Sequence, residues 1–162
     1  MKKTVTKKLA LAGLLIAVAV VCSPFSIPVG ASRCFPVQHF VNVLSAVVLG
    51  PFYGVVMAFI TSCIRVAVGT GTLLAFPGSM LGALMCGLVF KCSKNIPLTC
   101  VGELFGTSVL GGLAAYPIAV FLMGKSAAMY AYILPFFVSS AGGTIIAAVL
   151  LFALKKTGVL DK

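Results

Sequence analysis

The chain has 162 residues, of which 61% are hydrophobic and only 9% are charged. A soluble domain carries about 25% charged and 45–50% apolar residues, so this composition excludes an ordinary soluble globular domain. The length accommodates one domain. With a single His and two acidic residues, the chain lacks the converging groups that hydrolytic or metal-dependent catalysis requires. We therefore expect neither an enzyme nor a metal site.

Long uncharged stretches separate the charged residues along the chain. A membrane-spanning helix needs about 20 apolar residues, and the longest stretch contains Gly50-Pro51, a pair that can end one helix and begin the next. The period-two alternation of barrel strands is not seen, since 9–22 carries no polar side chain before its final Cys. The sequence predicts an all-α integral membrane protein, a single membrane domain over 1–162 with six transmembrane helices at about 9–23, 38–49, 52–68, 77–91, 97–122 and 132–155.

The basic residues indicate the orientation of the bundle, because Lys and Arg accumulate in cytoplasmic loops. With the N-terminus in the cytoplasm, nine basic residues lie inside and only Arg33 and Lys125 fall in outer loops. Both termini are therefore expected to be cytoplasmic, in a multi-pass protein of the plasma membrane. The net charge of +10 is an orientation signal and not the footprint of a nucleic-acid binder. Cys34 is the one cysteine in a predicted outer loop, and we expect it to react with impermeant thiol reagents.

Small residues form a stripe on the first predicted helix. Ala10, Gly13 and Ala17 are spaced three and then four apart, so they share one face. Such stripes allow another helix to approach closely. The partner could be a second subunit or another helix of the same bundle, and the spacing favours neither.

Polar residues at membrane depth are costly and usually functional. His39 and Asn42 share a face at the outer end of helix two, Arg65 lies near the outer end of helix three, and Glu103 lies in the inner part of helix five. Counted from the inner ends, Arg65 and Glu103 differ in height by about 11 Å, which argues against a direct bridge. Glu103 could be a structural partner, a ligand contact or a contact with another subunit.

A Gly-rich connection between helices three and four provides backbone N–H groups and hydroxyls beside Arg65. It is either an ordinary turn or an anion or polar-ligand site at a helix N-terminus. The candidate residues in this connection are Thr70, Gly71, Thr72 and Ser79. Aromatic residues near the outer ends could stack on a flat ring, and the candidates are Phe76 and Tyr116, with Phe35, Tyr130 and Tyr132 nearby.

The order of these features resembles the substrate-binding S components of energy-coupling factor (ECF) transporters, and among them the ThiW type, which is linked to the thiazole precursor of thiamine. The resemblance runs over almost the whole chain. It is carried by Pro36-Val37-Gln38-His39-Phe40-Val41-Asn42-Val43, by Gly50-Pro51-Phe52-Tyr53, by Arg65 with Gly69-Thr70-Gly71-Thr72-Leu73-Leu74-Ala75-Phe76-Pro77-Gly78-Ser79, and by Gly102-Glu103 and Ala115-Tyr116-Pro117.

The resemblance implies a six-helix vitamin-binding protein that captures its ligand from outside with high affinity. It also implies partners, a transmembrane coupling subunit and two ATPase subunits. ATP would be bound by those ATPases, and this chain itself would hold no cofactor. The stripe of Ala10, Gly13 and Ala17 would be the docking surface, and residues 24–37 would act as a lid.

The ligand implied by the resemblance is hydroxyethylthiazole or its phosphate. Two other classes of function remain open at this stage. A small proton-coupled transporter could use Glu103 as its proton carrier, since burial raises the affinity of a carboxylate for a proton. A non-transporting assembly subunit would bind no small molecule.

Overall fold

The structure, a computed structural model, describes residues 4–29 and 32–158 of the chain. In the described part, helices account for most of the chain. The elements are α1 (Val5–Val21), α2 (Pro36–Val48), α3 (Pro51–Ala67), α4 (Ala75–Ser93), α5 (Ile96–Phe105), a π-helical segment π1 (Gly106–Gly111), α6 (Gly112–Pro117), a second π-helical segment π2 (Ile118–Leu122) and α7 (Ile133–Lys156).

The helix boundaries follow local signals in the sequence. Gly50 adopts φ +92°, a conformation that other residues rarely take, and Pro51 then opens α3 in the first turn, where its missing N–H costs nothing. Asn95 caps α5, since its side chain accepts the N–H of Leu98 at 3.2 Å. These signals place the breaks where the sequence predicts them, and the predicted helix ends lie within about four residues of the observed ones.

The predicted fifth helix is one continuous helical segment over Ile96–Leu122 that changes its helical type three times. The π-helical segments π1 and π2 flank α6, and π2 directly follows Pro117, which has no N–H to donate. A π-helical turn is wider than an α-helical one and is common at functional sites. Here π1 contains Thr107, one turn after Glu103.

The structure contains one feature that the predicted all-α fold class does not include, a short β-hairpin. β1 (Ile27–Val29) pairs antiparallel with β2 (Ser32–Cys34), with Ile27 opposite Cys34. The hairpin lies in the connection between α1 and α2, which the resemblance interprets as a lid. Residues 30 and 31, at its tip, fall outside the described residues. The backbone of this connection thus satisfies part of its own hydrogen-bonding capacity.

Helix lengths and exposed apolar side chains characterise the bundle as an all-α membrane protein. Three elements are long and apolar enough to cross a membrane, namely α4, the helical segment Ile96–Leu122 and α7, whereas α2 and α3 are apolar but shorter. Large hydrophobic side chains such as Phe52 and Phe121 are more than three-quarters exposed on the outside. A surface of this kind suits lipid and is rare on soluble monomers.

The packing places α4 and α2 at the centre. α4 contacts α2, α3, α5 and π1, and α2 also contacts α7. α1 lies at the side, mainly against α3 and α2. α2 has 13 residues and is about 20 Å long, shorter than the ~30 Å hydrocarbon core of a bilayer. A cavity lies at its N-terminal end, where Gln38 and His39 of α2 line it together with residues of α3, α4 and α7.

Candidate ligand-binding site

A cavity of about 550 Å³ opens above the N-terminal end of α2. Helices provide most of its wall: the start of α2, the end of α3, the start of α4, Thr107 of π1 and the first turns of α7. Three connections complete the wall, namely the hairpin, the 69–74 connection and the 123–132 connection. Six of the predicted site residues line it: His39, Arg65, Thr70, Gly71, Thr72 and Ser79. Ligand pockets commonly have volumes of about 300–1,000 Å³, so this cavity suits a small organic molecule.

Arg65 is the only guanidinium within the described lining of the cavity, and it is 2% exposed. Its Nη1 donates to Gln38 Oε1 over 3.4 Å, a long hydrogen bond. The guanidinium carbon lies 3.8 Å from the ring centroid of Phe35, in cation–π geometry. Arg65 Nε and Nη2 are buried and have no hydrogen-bond partner in the described part of the chain.

Gln38 is a site residue that the sequence reasoning did not select. Its Oε1 faces Arg65, which fixes the orientation of the amide, and its Nε2 is buried without a partner among the described residues. Gln38 lines the cavity, so this amide is a donor available to a ligand. A signal was present in the sequence, because Gln38 precedes Asn42 by four residues and therefore shares its face of the helix.

Beneath the cavity four residues form what we term the polar floor: His39, Asn42, Glu103 and Thr107. Glu103 is fully buried. Three polar side chains lie within hydrogen-bonding distance of one of its carboxylate oxygens, Oε1. His39 Nδ1 lies at 2.8 Å, Asn42 Nδ2 donates at 3.0 Å, and Thr107 Oγ1 donates at 3.0 Å. Asn42 Nδ2 also donates to the Ser79 carbonyl at 3.1 Å.

The pairing of Glu103 with His39 differs from the sequence-based expectation, which put the two side chains at different heights. The expectation placed His39 at the outer end of a helix already predicted to be short for a full span, and Glu103 in the inner part of the fifth helix. In the structure His39 lies about 13 Å from the C-terminal end of α2, and Glu103 lies about 10 Å from the start of α5. Arg65 and Glu103 form no ion pair, as the height estimate predicted.

Two glycines make the polar floor possible by allowing close approach. A Cβ on Gly82 would overlap Thr107 Oγ1 and would lie 2.7 Å from Glu103 Oε1. A Cβ on Gly143 would overlap the Pro36 carbonyl and would lie 2.6 Å from His39 Cβ. Glycine at these positions brings α4 and α7 against the residues that bind Glu103.

The 69–74 connection wraps closely over the end of α3. The N–H groups of Thr70 and Gly71 both donate to the Arg65 carbonyl at 2.9 Å. A Cβ on Gly71 would lie 3.0 Å from Arg65 Cβ, so glycine permits this contact. Thr70 Oγ1 accepts a hydrogen bond from Ser23 Oγ at 2.8 Å, which ties the connection to the end of α1.

Other predicted site residues lie elsewhere. Asn42 and Glu103 do not line the cavity and are connected to it through hydrogen bonds with His39, Ser79 and Thr107, which do. Phe76 packs on Phe59 with ring centroids 5.8 Å apart, so its proposed stacking on a ligand is not supported. Tyr116, in α6, is likewise not among the described residues that line the cavity.

The aromatic residues of the cavity are instead Phe35 and Phe136. Phe35 immediately precedes α2, and Phe136 lies in the first turn of α7, one turn after Tyr132. The sequence reasoning counted Phe35 among the outer aromatics but omitted Phe136, Ser139 and Lys125, which also line the cavity. Their positions depend on how α7 packs against α2, which no local pattern specifies.

Cys34 corrects another expectation. It is 1% exposed, and its thiol donates to the Pro135 carbonyl at 3.4 Å. Burial raises the pKa of the Cys34 thiol, which lowers the fraction of reactive thiolate. The hairpin folds Cys34 against α7, so a place in a loop does not make this cysteine accessible.

The small-residue stripe on α1 points away from the bundle. Ala10, Gly13 and Ala17 are exposed, and a Cβ on Gly13 would meet no atom within 4 Å. The buried residues of α1 are Ala12, Leu15 and Ala19. The alternative that the stripe packs inside this chain is therefore wrong, and the stripe is a free surface.

The family of the chain follows from a comparison with family models. The model described as "Thiamine-precursor transporter protein (ThiW)" matches residues 9–157. The chain belongs to this family. The match confirms the resemblance to the ThiW type. Comparisons with curated proteins and with solved structures gave no match.

The chain is a thiamine-precursor transporter, so a small-molecule substrate and a membrane environment are expected of it. The structure is compatible with both expectations, since the exterior of the bundle is apolar and a polar cavity is bounded by Arg65, Gln38 and His39.

Proposed function

We propose that the chain is the S component of an ECF transporter and captures the thiazole precursor of thiamine in the cavity above α2. In this proposal six helical elements span the plasma membrane, and both termini are cytoplasmic. A transmembrane coupling subunit and two ATPases complete the transporter. The observation that carries the proposal is the buried, partnerless amide nitrogen of Gln38 beside the partnerless edge of Arg65.

A thiazole ring suits this cavity chemically. Its ring nitrogen accepts one hydrogen bond, and Gln38 Nε2 is a donor with no other partner in the described residues. A buried amide of this kind costs free energy until a ligand pairs with it. Glu103 engages His39 through Nδ1, which leaves Nε2 as the ring nitrogen free for a ligand. Phe136 offers an apolar face to the ring.

The exposed stripe of α1 supports the docking part of the proposal. In a membrane, helices associate through small residues that allow close backbone contact. Ala10, Gly13 and Ala17 form such a surface, and no other part of the described chain covers it. We propose that this stripe contacts the coupling subunit.

Calorimetry on the purified chain tests the ligand assignment. Hydroxyethylthiazole should bind, and Gln38→Ala and His39→Ala should each weaken binding roughly 5- to 150-fold, the effect of removing one buried partner. Phe76→Leu is the matched control, since Phe76 packs on Phe59 and should leave affinity unchanged. Wild-type affinity in both cavity variants would place the site elsewhere.

Uptake measurements separate the ECF assignment from a proton-coupled carrier that uses Glu103. Uptake by cells that express the chain should require the coupling subunit and the ATPases and should tolerate collapse of the proton gradient. Glu103 binds three donors under the cavity, which suits a structural role better than repeated protonation. Uptake without the ATPases that stops with the gradient would establish the alternative.

A further inference from the structure

The charges around the cavity are unbalanced. Arg65 and His39 line it, and Lys125 lies at its exposed rim. In the described residues no carboxylate lines the cavity. The one described acid, Glu103, lies below it and is engaged by His39.

Arg65 therefore carries a buried positive charge without a counter-ion in the described chain. Isolated buried charges are costly, and inside membranes they are normally paired or functional. The Phe35 ring and the long bond to Gln38 compensate only part of this cost. A ligand that brings negative charge would supply the missing partner.

The free edge of Arg65 also has a specific shape. Nη1 is used by Gln38, whereas Nε and Nη2 are unpartnered. Their two N–H groups form the side edge of the planar guanidinium, which can hold two oxygens of one phosphate or carboxylate in parallel hydrogen bonds. Two buried donors on one edge are an independent sign of a missing oxyanion.

The surroundings favour a phosphate over a carboxylate. The first residue of α4, Ala75, and its preceding residue, Leu74, line the cavity, so the positive end of this 19-residue helix faces the same space. The hydroxyl of Thr72 and the ammonium of Lys125 add donors at the rim. The first N–H groups of α4, those of Ala75 and Phe76, already donate to the carbonyls of Thr72 and Leu73, so the helix contributes its dipole. A phosphate has oxygens for Arg65, Thr72 and Lys125 together, whereas a carboxylate is satisfied by Arg65 alone.

We propose that the cavity takes its ligand as a phosphate monoester, with the phosphate on the Nε–Nη2 edge of Arg65 and the ring toward Gln38. This inference rests on the proposed function and specifies its substrate. The selected ligand is the phosphorylated form of the hydroxyethylthiazole, and the neutral alcohol is a weaker ligand of the same site.

Calorimetry with three probes tests the inference on the purified full-length chain: hydroxyethylthiazole, its phosphate monoester and inorganic phosphate. The ester should bind about 10- to 150-fold more tightly than the alcohol, the range expected for a charge-assisted bond at a buried site. This ratio is measured on the wild type and needs no variant.

Variants then locate the phosphate. Arg65→Ala should reduce the preference for the ester to near unity, and Arg65→Lys, which keeps the charge but loses the fork, should retain only part of it. Lys91→Ala is the matched charge control and should leave the preference unchanged, because Lys91 is exposed in the last turn of α4 and does not line the cavity. A preserved preference in Arg65→Ala would overturn the placement on Arg65.

The outcomes distinguish this inference from the proposed function. An alcohol that binds as tightly as the ester would overturn the phosphate assignment and leave the proposed function intact. Failure of both organic probes to bind would refute the proposed function itself. Inorganic phosphate that binds as tightly as the ester would support the anion site but contradict recognition of the thiazole.

Discussion

α1 and α2 follow one another along the chain and bury opposite kinds of residues. α1 has 17 residues and buries only Ala12, Leu15 and Ala19. α2 has 13 residues and buries seven, four of which are polar: Gln38, His39, Asn42 and Ser45. The shorter helix is thus the more deeply embedded one.

The difference between α1 and α2 shows how one small bundle can have both a fixed polar interior and an exposed small-residue face. Buried polar groups require specific partners, so α2 is held in place by hydrogen bonds to α4, α5 and α3. α1 has no such bonds along its middle and presents small residues outward. In the proposed function, α2 helps to hold the ligand and α1 contacts the coupling subunit.

The largest effect should come from breaking the polar floor. Glu103→Ala leaves His39, Asn42 and Thr107 without their shared acceptor. Breaking a buried pair costs about 3–5 kcal/mol, so we expect a marked fall in thermal unfolding temperature in detergent. Glu103→Gln keeps an acceptor oxygen, so its unfolding temperature should fall less than that of Glu103→Ala. Equal, small losses in both variants would show that the floor contributes little to stability.

A matched pair of glycine substitutions compares the two regions directly. Gly82→Ala places a Cβ against Thr107 and Glu103 and should destabilise the protein by about 1–3 kcal/mol. The Cβ that Gly13→Ala adds has no atom within 4 Å. This variant should leave the stability of the protein unchanged or raise it by about 0.5–1 kcal/mol, since alanine favours a helix more than glycine does. Denaturation of both variants side by side measures the difference, and a reversed order would contradict the packing of α4 on the floor.

Bulky residues on α1 should separate folding from assembly. Gly13→Leu or Ala17→Trp should leave ligand affinity and stability within about 0.5 kcal/mol of the wild type, because both side chains point outward. Copurification with the coupling subunit should weaken, since overpacking a close contact costs about 1–3 kcal/mol. An unchanged complex would show that the partner docks on another face.

The smallest effect concerns two cysteines at the junction of these helices. Cys22 follows α1 and is partly exposed, whereas Cys34 precedes α2 and is buried. The raised pKa of Cys34 slows its reaction further. In variants that keep only one of them, an impermeant maleimide should label Cys22 roughly tenfold faster or more. Rapid labelling of Cys34 would mean that the hairpin opens readily.

The helix pattern was predictable from the sequence because each break has a local cause. Gly50-Pro51, Asn95 and the charged residues between spans act within a few residues of the break. The cavity residues that the sequence identified, Arg65 and His39, stood out because charged and polar groups are rare in an apolar chain.

The rest depended on distances between helices, which no local pattern reports. The partner of Glu103 was missed because the height of His39 relative to Glu103 depends on how α2 is placed against α5, which the lengths of the helices do not specify. Phe35 and Phe136, in place of Phe76 and Tyr116, face the cavity because of how α2 and α7 rotate on packing. The hairpin and the burial of Cys34 likewise result from tertiary contacts.

The shortness of α2 has a consequence for transport itself. In the proposed orientation, a molecule resting on His39 lies about 13 Å from the inner end of α2, within a hydrocarbon layer about 30 Å thick. With the C-terminal end of α2 at the inner boundary of that layer, binding alone would carry the molecule past the middle of the membrane. In the proposed transporter, the step that the ATPases drive would then have to open only the remaining path, which the polar floor and the inner half of the bundle close.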